Sequence, residues 1–198
     1  MMAVFGIDRD IILFVAIFGP IGVLLIWFIG TFNRLVKLQN MIPESWANID
    51  TELRRRYDLI PNLVEAVKAY MAHEHSVLEA VAKARAQAMS SCLGIQEQAS
   101  DEDDLVRSLR RLLAVSEAYP NLKADRNFVQ LQTELVNTED RIQAARRFYN
   151  GNVRDFNNMV DTFPAGLIAN ICQFEREEYF NIEELHARSP VSASFETN

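Results

Sequence analysis

Apolar residues recur at alternating three- and four-residue steps along much of this chain. From Trp46 the steps land on Ile49, Leu53, Arg56, Ile60, Leu63, Val67, Tyr70, Glu74, Val77, Val81, Ala84 and Ala88, and only Arg56 and Glu74 break the apolar run. That is a heptad seam, the pattern by which one helix packs on another. Tyr57, Val64, Met71 and Leu78 flank it and widen it to a bundle face. The pattern predicts one long helix from Pro43 to about Ser90. The register passes from Arg56 through Ile60 to Leu63 without a skip, so Pro61 is expected to kink a continuous helix and not to separate two.

Residues 90–104 interrupt the pattern, and Gly94 with the polar run around it reads as a connection. The acidic residues from Asp101 then offer a cap and a first turn for a helix over about 101–118. That helix spans only ~27 Å, too short to run alongside the full length of its neighbours. Tyr119, Pro120 and Asn121 stop it. A second seam follows through Phe128, Leu131, Leu135, Thr138, Ile142, Ala145, Tyr149, Asn152, Phe156, Met159 and Phe163, with Thr138 and Asn152 as its polar exceptions. Pro164 and Gly166 end it. A shorter helix is expected over about 167–185, and 186–198 reads as a mobile tail.

Before the seams lies an uncharged apolar stretch, 11–30. Its length is what a helix needs to cross ~30 Å of hydrocarbon. A cleaved signal peptide fits poorly: Asp8, Arg9 and Asp10 make the start slightly acidic, the apolar core is long, and the stretch that follows it is a poor cleavage site. The expected organisation is a short N-terminal segment at 1–10, a transmembrane helix at 11–30 and a helical bundle at 31–185. The fold class is all-α: a transmembrane helix followed by an elongated antiparallel bundle of about four helices. Arg34 and Lys37 on the C-terminal flank outweigh Arg9 on the other. The positive-inside bias therefore puts the N-terminus outside and the bundle in the cytoplasm, with the inner (plasma) membrane as the location.

Composition agrees. Of 198 residues only seven are glycine and six proline, which suits long helices. The net charge of -7 argues against nucleic acid as a partner, because phosphate binding needs a basic surface. Two cysteines, Cys92 and Cys172, form no disulfide framework and are expected to be reduced.

Chemistry is sparse. His73 and His75 stand two residues apart, about 200° around a helix, and cannot share a metal ion. Glu183 and His186 have the Glu-x-x-His spacing of di-iron bundles but occur as a single copy. There is no glycine-rich phosphate loop and no nucleophile elbow, and nothing in sequence lowers the Cys92 pKa. Glu134, Glu139 and Asp140 are explained by helix-surface pairing and solvation. The sequence predicts no catalytic residue, no metal and no cofactor. The residues singled out are Arg56, Pro61, Glu74, Thr138 and Asn152, as candidates for fixing helix register or meeting a partner.

Arg54, Arg55 and Arg56 raise the question of an anionic docking patch. Asp50 and Glu52 precede Arg54 and Arg56 by four residues, the favourable order for helical ion pairs. The three arginines also fan around a helix at about 100° per residue. On a straight helix Arg54 lies ~36 Å beyond Gly30, out of electrostatic reach of a membrane surface given a screening length of ~8 Å. Arg56 therefore reads as a register device.

The stretches "WANIDTELRRRYDLIPNLVEAVKAYMAHE", "AYPNLKADRNFVQLQTELVNTEDRIQAARRFYN" and "VRDFNNMVDTFPAGLIA" resemble the LemA family of bacterial membrane-anchored proteins. The resemblance runs from about Asn33 to Phe180. The 92–104 connection and the tail depart from it. It implies a membrane-anchored helical protein without established catalytic residues, and a magnetosome membrane protein resembles the same family. The function expected is a non-enzymatic scaffold presenting a bundle face to copies of itself or to a helical protein partner, and organising the membrane. The alternative is a regulatory adaptor or sensor for a membrane protease or envelope stress system. A bundle-core metalloenzyme is the third class, which metal analysis would test.

Overall fold

The computed structural model describes residues 9–71, 73–91 and 94–181. Cys92, Glu183, His186 and the 186–198 tail lie outside the described residues. Within them there are six helices and no strand: α1 (Arg9–Lys68), α2 (His75–Ser90), α3 (Ile95–Ser116), α4 (Pro120–Lys123), α5 (Arg126–Asp161) and α6 (Ala165–Ile171). The all-α expectation holds.

α1 joins two stretches that the sequence pattern keeps apart. The apolar residues from 11 and the seam from Trp46 to Val67 lie on one unbroken helix of 60 residues, and Pro43 and Pro61 sit inside it. Its first part is apolar all round and turned outward. Leu13, Phe14, Ile17, Val23 and Ile26 are all more than half exposed. An 18-residue window there has a mean hydropathy of 1.8 and is only 6% buried, so the helix is long and apolar enough to cross a membrane. A helix apolar on every side has no polar face to offer water.

Three element boundaries differ from expectation. The long helix stops at Lys68 instead of running to about Ser90, and α2 begins afresh after Glu74. The 90–104 stretch is not a connection: Gly94 precedes α3, which starts at Ile95. The last helix is short, and the chain beyond Ile171 is non-helical as far as residue 181.

The described residues fall into two compact units. One is built from the chain up to Trp46 together with Phe148–Glu177; the other from Ala47–Arg147 and the chain from Glu178. In the second unit the α1 seam residues Ile49, Leu53, Ile60, Leu63 and Val67 are buried. They share a core with Val77, Leu78 and Val81 of α2, Leu105, Leu109 and Leu112 of α3, and Phe128, Leu135 and Ile142 of α5. Each such side chain contributes about 1.5–3 kcal/mol of transfer free energy. Asp125 caps α5. Its Oδ1 accepts from the Asn127 and Phe128 N–H groups at 2.8 and 3.1 Å. The Phe128 N–H first, and then the Tyr70 hydroxyl, hold the Asp125 carboxyl below its usual range.

The first unit is more aromatic. Trp46 meets Tyr149 edge-on at 5.5 Å, and Phe174 meets Phe32 at 5.9 Å and Phe156 at 6.2 Å. Leu35, Ile42, Val153, Ile168 and Ala169 complete the packing. α6 ends on a left-handed residue, Gln173, at φ 58°. The Phe174 N–H reaches back to the Ala169 carbonyl at 2.9 Å and the Gln173 N–H to Asn170 at 3.2 Å. That is the Schellman arrangement, with glutamine where glycine is usual. Gly166 is needed for close approach, since a Cβ there would lie 2.7 Å from the Val160 carbonyl oxygen.

Candidate functional site: an arginine buried between two glutamates

The residue that the seam singled out is the centre of a polar network in the second unit. Arg56 on α1 is 2% exposed. Its Nη1 donates to Glu139 Oε2 of α5 at 2.7 Å, and its Nη2 donates to Glu102 Oε2 of α3. Glu102 is fully buried, whereas the Glu139 side chain keeps 32% of its surface. The two pairs are therefore energetically unlike. The Arg56–Glu139 pair is partly screened by water at its glutamate end. The buried pair is held in place because neither charge can be left alone.

Tyr57, the next residue on α1, extends the network. Its hydroxyl donates to Glu102 Oε1 and lies 3.4 Å from the Ala88 carbonyl of α2. Gln98 of α3 donates to Glu102 Oε1 at 3.0 Å, to the Ala88 carbonyl at 3.2 Å and to the Tyr57 oxygen at 3.2 Å. Burial, reinforced by the Glu102 carboxylate, pushes the Tyr57 phenol far above its ordinary pKa. Tyr57 therefore stays a neutral donor, and Glu102 has a donor on each oxygen. Gln143 of α5 donates to Glu139 Oε1 at 2.8 Å. One polar cluster thus touches α1, α2, α3 and α5.

Pro61 acts on this cluster from one turn away. Proline has no N–H, so the Tyr57 carbonyl, four residues earlier, loses its helical donor. Arg85 of α2 replaces it, donating from Nε at 2.7 Å. Pro61 itself is exposed, and α1 runs through it as helix. An apolar groove of about 180 Å³ opens beside the cluster, with Val106, Leu109 and Leu113 of α3 on one wall and Leu135 and Val136 of α5 on the other. Arg56 and Glu139 also line it.

The other candidates go elsewhere. Glu74 is not in a helix seam: it precedes α2 and accepts from the Tyr119 hydroxyl at 3.3 Å. Thr138 is buried but spends its hydroxyl on the Glu134 carbonyl of its own helix at 2.8 Å. Asn152 belongs to the first unit, where its Nδ2 donates to the Met41 carbonyl of α1 at 3.4 Å.

Sequence reasoning missed the rest of the cluster around Arg56, Gln143 and Arg85 included. In sequence Glu102 reads as part of an exposed acidic first turn, and Glu139 as a solvated surface charge. Tyr57 reads as a plain apolar flank, and Gln98 falls in the expected connection. A seam test run backward from Leu112 through Leu109 and Leu105 reaches Glu102, which is buried, and then Gln98. That signal is present in the sequence.

The cluster holds no serine, cysteine or histidine nucleophile. No group of three or more metal-ligating side chains occurs among the described residues. Cys172 is a free, half-buried thiol.

Comparison with known proteins adds a lineage. The family model described as "LemA family" matches residues 45–195. Magnetosome protein MamQ 2 of Paramagnetospirillum magneticum is 27% identical over 174 residues, covering 75% of this chain and 64% of the relative. Magnetosome protein MamQ of Magnetospirillum gryphiswaldense is 26% identical, covering 76% and 64%. Protein LemA of Metamycoplasma hominis is 26% identical, covering 83% and 75%. The chain thus spans 64% of the length of the MamQ relatives it matches.

Proposed function

This chain belongs to the LemA family, and from that premise we propose that it is a single-pass, membrane-anchored, non-enzymatic helical scaffold. In this reading the apolar start of α1 spans the inner membrane, the N-terminus is outside, and the remainder is cytoplasmic. The observation that carries the scaffold reading is the apolar groove between α3 and α5. Val136 on its wall is 54% exposed, and an exposed apolar position beside Leu113 and Leu135 suits a docked helix. The buried Arg56 cluster supports it by fixing the register of α1, α3 and α5, which keeps the two walls of the groove in one arrangement. The names of the MamQ relatives attach them to magnetosomes, and for this chain they favour a role in organising membrane.

A photo-crosslinking residue at Val136 in the full-length protein in native membranes tests the proposal. A scaffold yields a defined oligomer or a defined helical partner at constant stoichiometry. Monomer alone at several expression levels would falsify it. A captured membrane protease or stress-response protein would favour the adaptor reading over self-association.

A further inference from the structure

We infer that α6 is a second membrane contact: Phe163, Leu167 and Ile171 rest in the lipid headgroup–acyl boundary beside the end of the apolar stretch of α1. The inference rests on the reading of that stretch as membrane-spanning and adds a contact outside it.

The exposure pattern comes first. Phe163, Leu167 and Ile171 are 78%, 57% and 75% exposed, at four-residue spacing. Residues four apart on a helix share a face, so Leu167 and Ile171 form one apolar face. Ile168 and Ala169 are buried. α6 is thus apolar both toward the protein and away from it. Nothing among the described residues covers the outward face, and large exposed side chains at regular spacing mark an interaction surface.

Position decides what covers it. At the start of α6, Phe163, Pro164 and Ala165 share a groove of about 830 Å³ with Trp27, Gly30 and Thr31 of α1. After α6, the Phe174 ring packs on Phe32 at 5.9 Å. Both ends of α6 therefore face residues 27–32 of α1. Five residue steps amount to ~8 Å of helix axis. If the 20 residues from Ile11 to Gly30 fill the ~30 Å hydrocarbon layer, these positions lie at its boundary. Trp27 is of the type that settles at that level, and Arg34, in the same groove, can extend its charge to the headgroups. A segment lying at that depth buries its outward apolar face ~5–10 Å into the boundary. The outward face of α6 continues the apolar surface of α1, and the occupant it fits is lipid.

The test uses the full-length chain with Cys92 and Cys172 replaced by serine, reconstituted in phosphatidylcholine–phosphatidylglycerol vesicles. Single-cysteine variants Leu167→Cys, Ile171→Cys, Val23→Cys and Gln130→Cys carry an environment-sensitive fluorophore. Quenching is then measured with lipids bearing a nitroxide on the acyl chain. Labels at 167 and 171 should be quenched at least about twofold more than the label at 130, as a face seated in the boundary requires. Quenching at 23 with none at 167 and 171 overturns the α6 contact and leaves the anchor standing. No quenching at 23 overturns both. A blue-shifted label at 167 that resists lipid quenching also overturns it, because the apolar occupant is then protein.

Discussion

Arg85 Nε donates to the Tyr57 carbonyl at 2.7 Å, the one acceptor in that turn of α1 that Pro61 deprives of its helical donor. The proline and the arginine are two halves of one arrangement. Arg85→Met should cost about 1.5–3 kcal/mol, the usual range for a hydrogen bond from a charged donor. In a Pro61→Ala background the same change should cost much less, because alanine restores the backbone N–H that serves the carbonyl. Denaturant unfolding of all four proteins in detergent, followed by circular dichroism, gives the coupling directly. Equal losses in both backgrounds would separate the two residues.

Arg56→Leu should be among the most damaging single changes in the chain. It leaves Glu102 fully buried without its cation, which typically costs about 3–5 kcal/mol. Arg56→Leu combined with Glu102→Leu removes both charges and should recover a substantial part of that loss. Glu139→Gln, on the partly exposed partner, should cost less than about 1 kcal/mol. The same unfolding measurement ranks the three, and a double variant no better than the single would rule out the buried pair as the cause.

Tyr57 predicts a loss of stability in alkali. Its folded pKa is raised by burial and by Glu102, so the stability it confers is fully present below the unfolded value of ~10 and is lost as pH rises above it. One proton corresponds to a slope of up to about 1.4 kcal/mol per pH unit. Tyr57→Phe should be less stable at neutral pH, yet its stability should fall less steeply above ~10. Tyr70 and Tyr119 are also shifted upward, by Asp125 and by burial respectively, so a residual slope remains. Unfolding free energies across the alkaline range of both proteins decide the point.

Alanine should have opposite effects at two helical glycines. A Cβ at Gly166 meets the Val160 backbone oxygen at 2.7 Å, and a backbone atom cannot swing aside. Gly166→Ala should therefore destabilise by about 1–3 kcal/mol. Gly151 on α5 has nothing within 4 Å of that position, so Gly151→Ala should stabilise by about 0.5–1 kcal/mol. Thermal unfolding midpoints moving in the same direction for both would contradict this.

The seams made most of the fold legible. Ile49, Leu53, Ile60, Leu63, Phe128, Ile142 and Phe156 are buried as their spacing requires. The spacing misleads at Tyr70 and Glu74, because the α1–α2 turn contains no glycine or proline and the apolar period resumes in α2 as if nothing had intervened. α6 ends early for a related reason: the left-handed position is filled by Gln173, which does not announce a stop as glycine does. Arg56 stands out by being polar in an apolar seam. Its partners are harder to see, because Glu102 stands in an acidic run where most carboxylates face water. Pattern identifies which residue is out of place on its own helix. It does not say which distant side chain makes that placement tolerable.

The chain after α6 carries a last consequence. Asn157 Nδ2 donates to the Glu177 carbonyl at 2.9 Å, and its Oδ1 accepts from the Glu177 N–H at 2.9 Å. A primary amide offers the same donor and acceptor pair as a peptide group. This non-helical segment thus obtains a strand-like pairing from a single side chain, with no strand among the described residues to supply one. Exchanging that amide nitrogen for oxygen, the one-atom difference between asparagine and aspartate, would set two oxygens facing each other. The docking of a stretch of backbone is in this way entrusted to the identity of one atom.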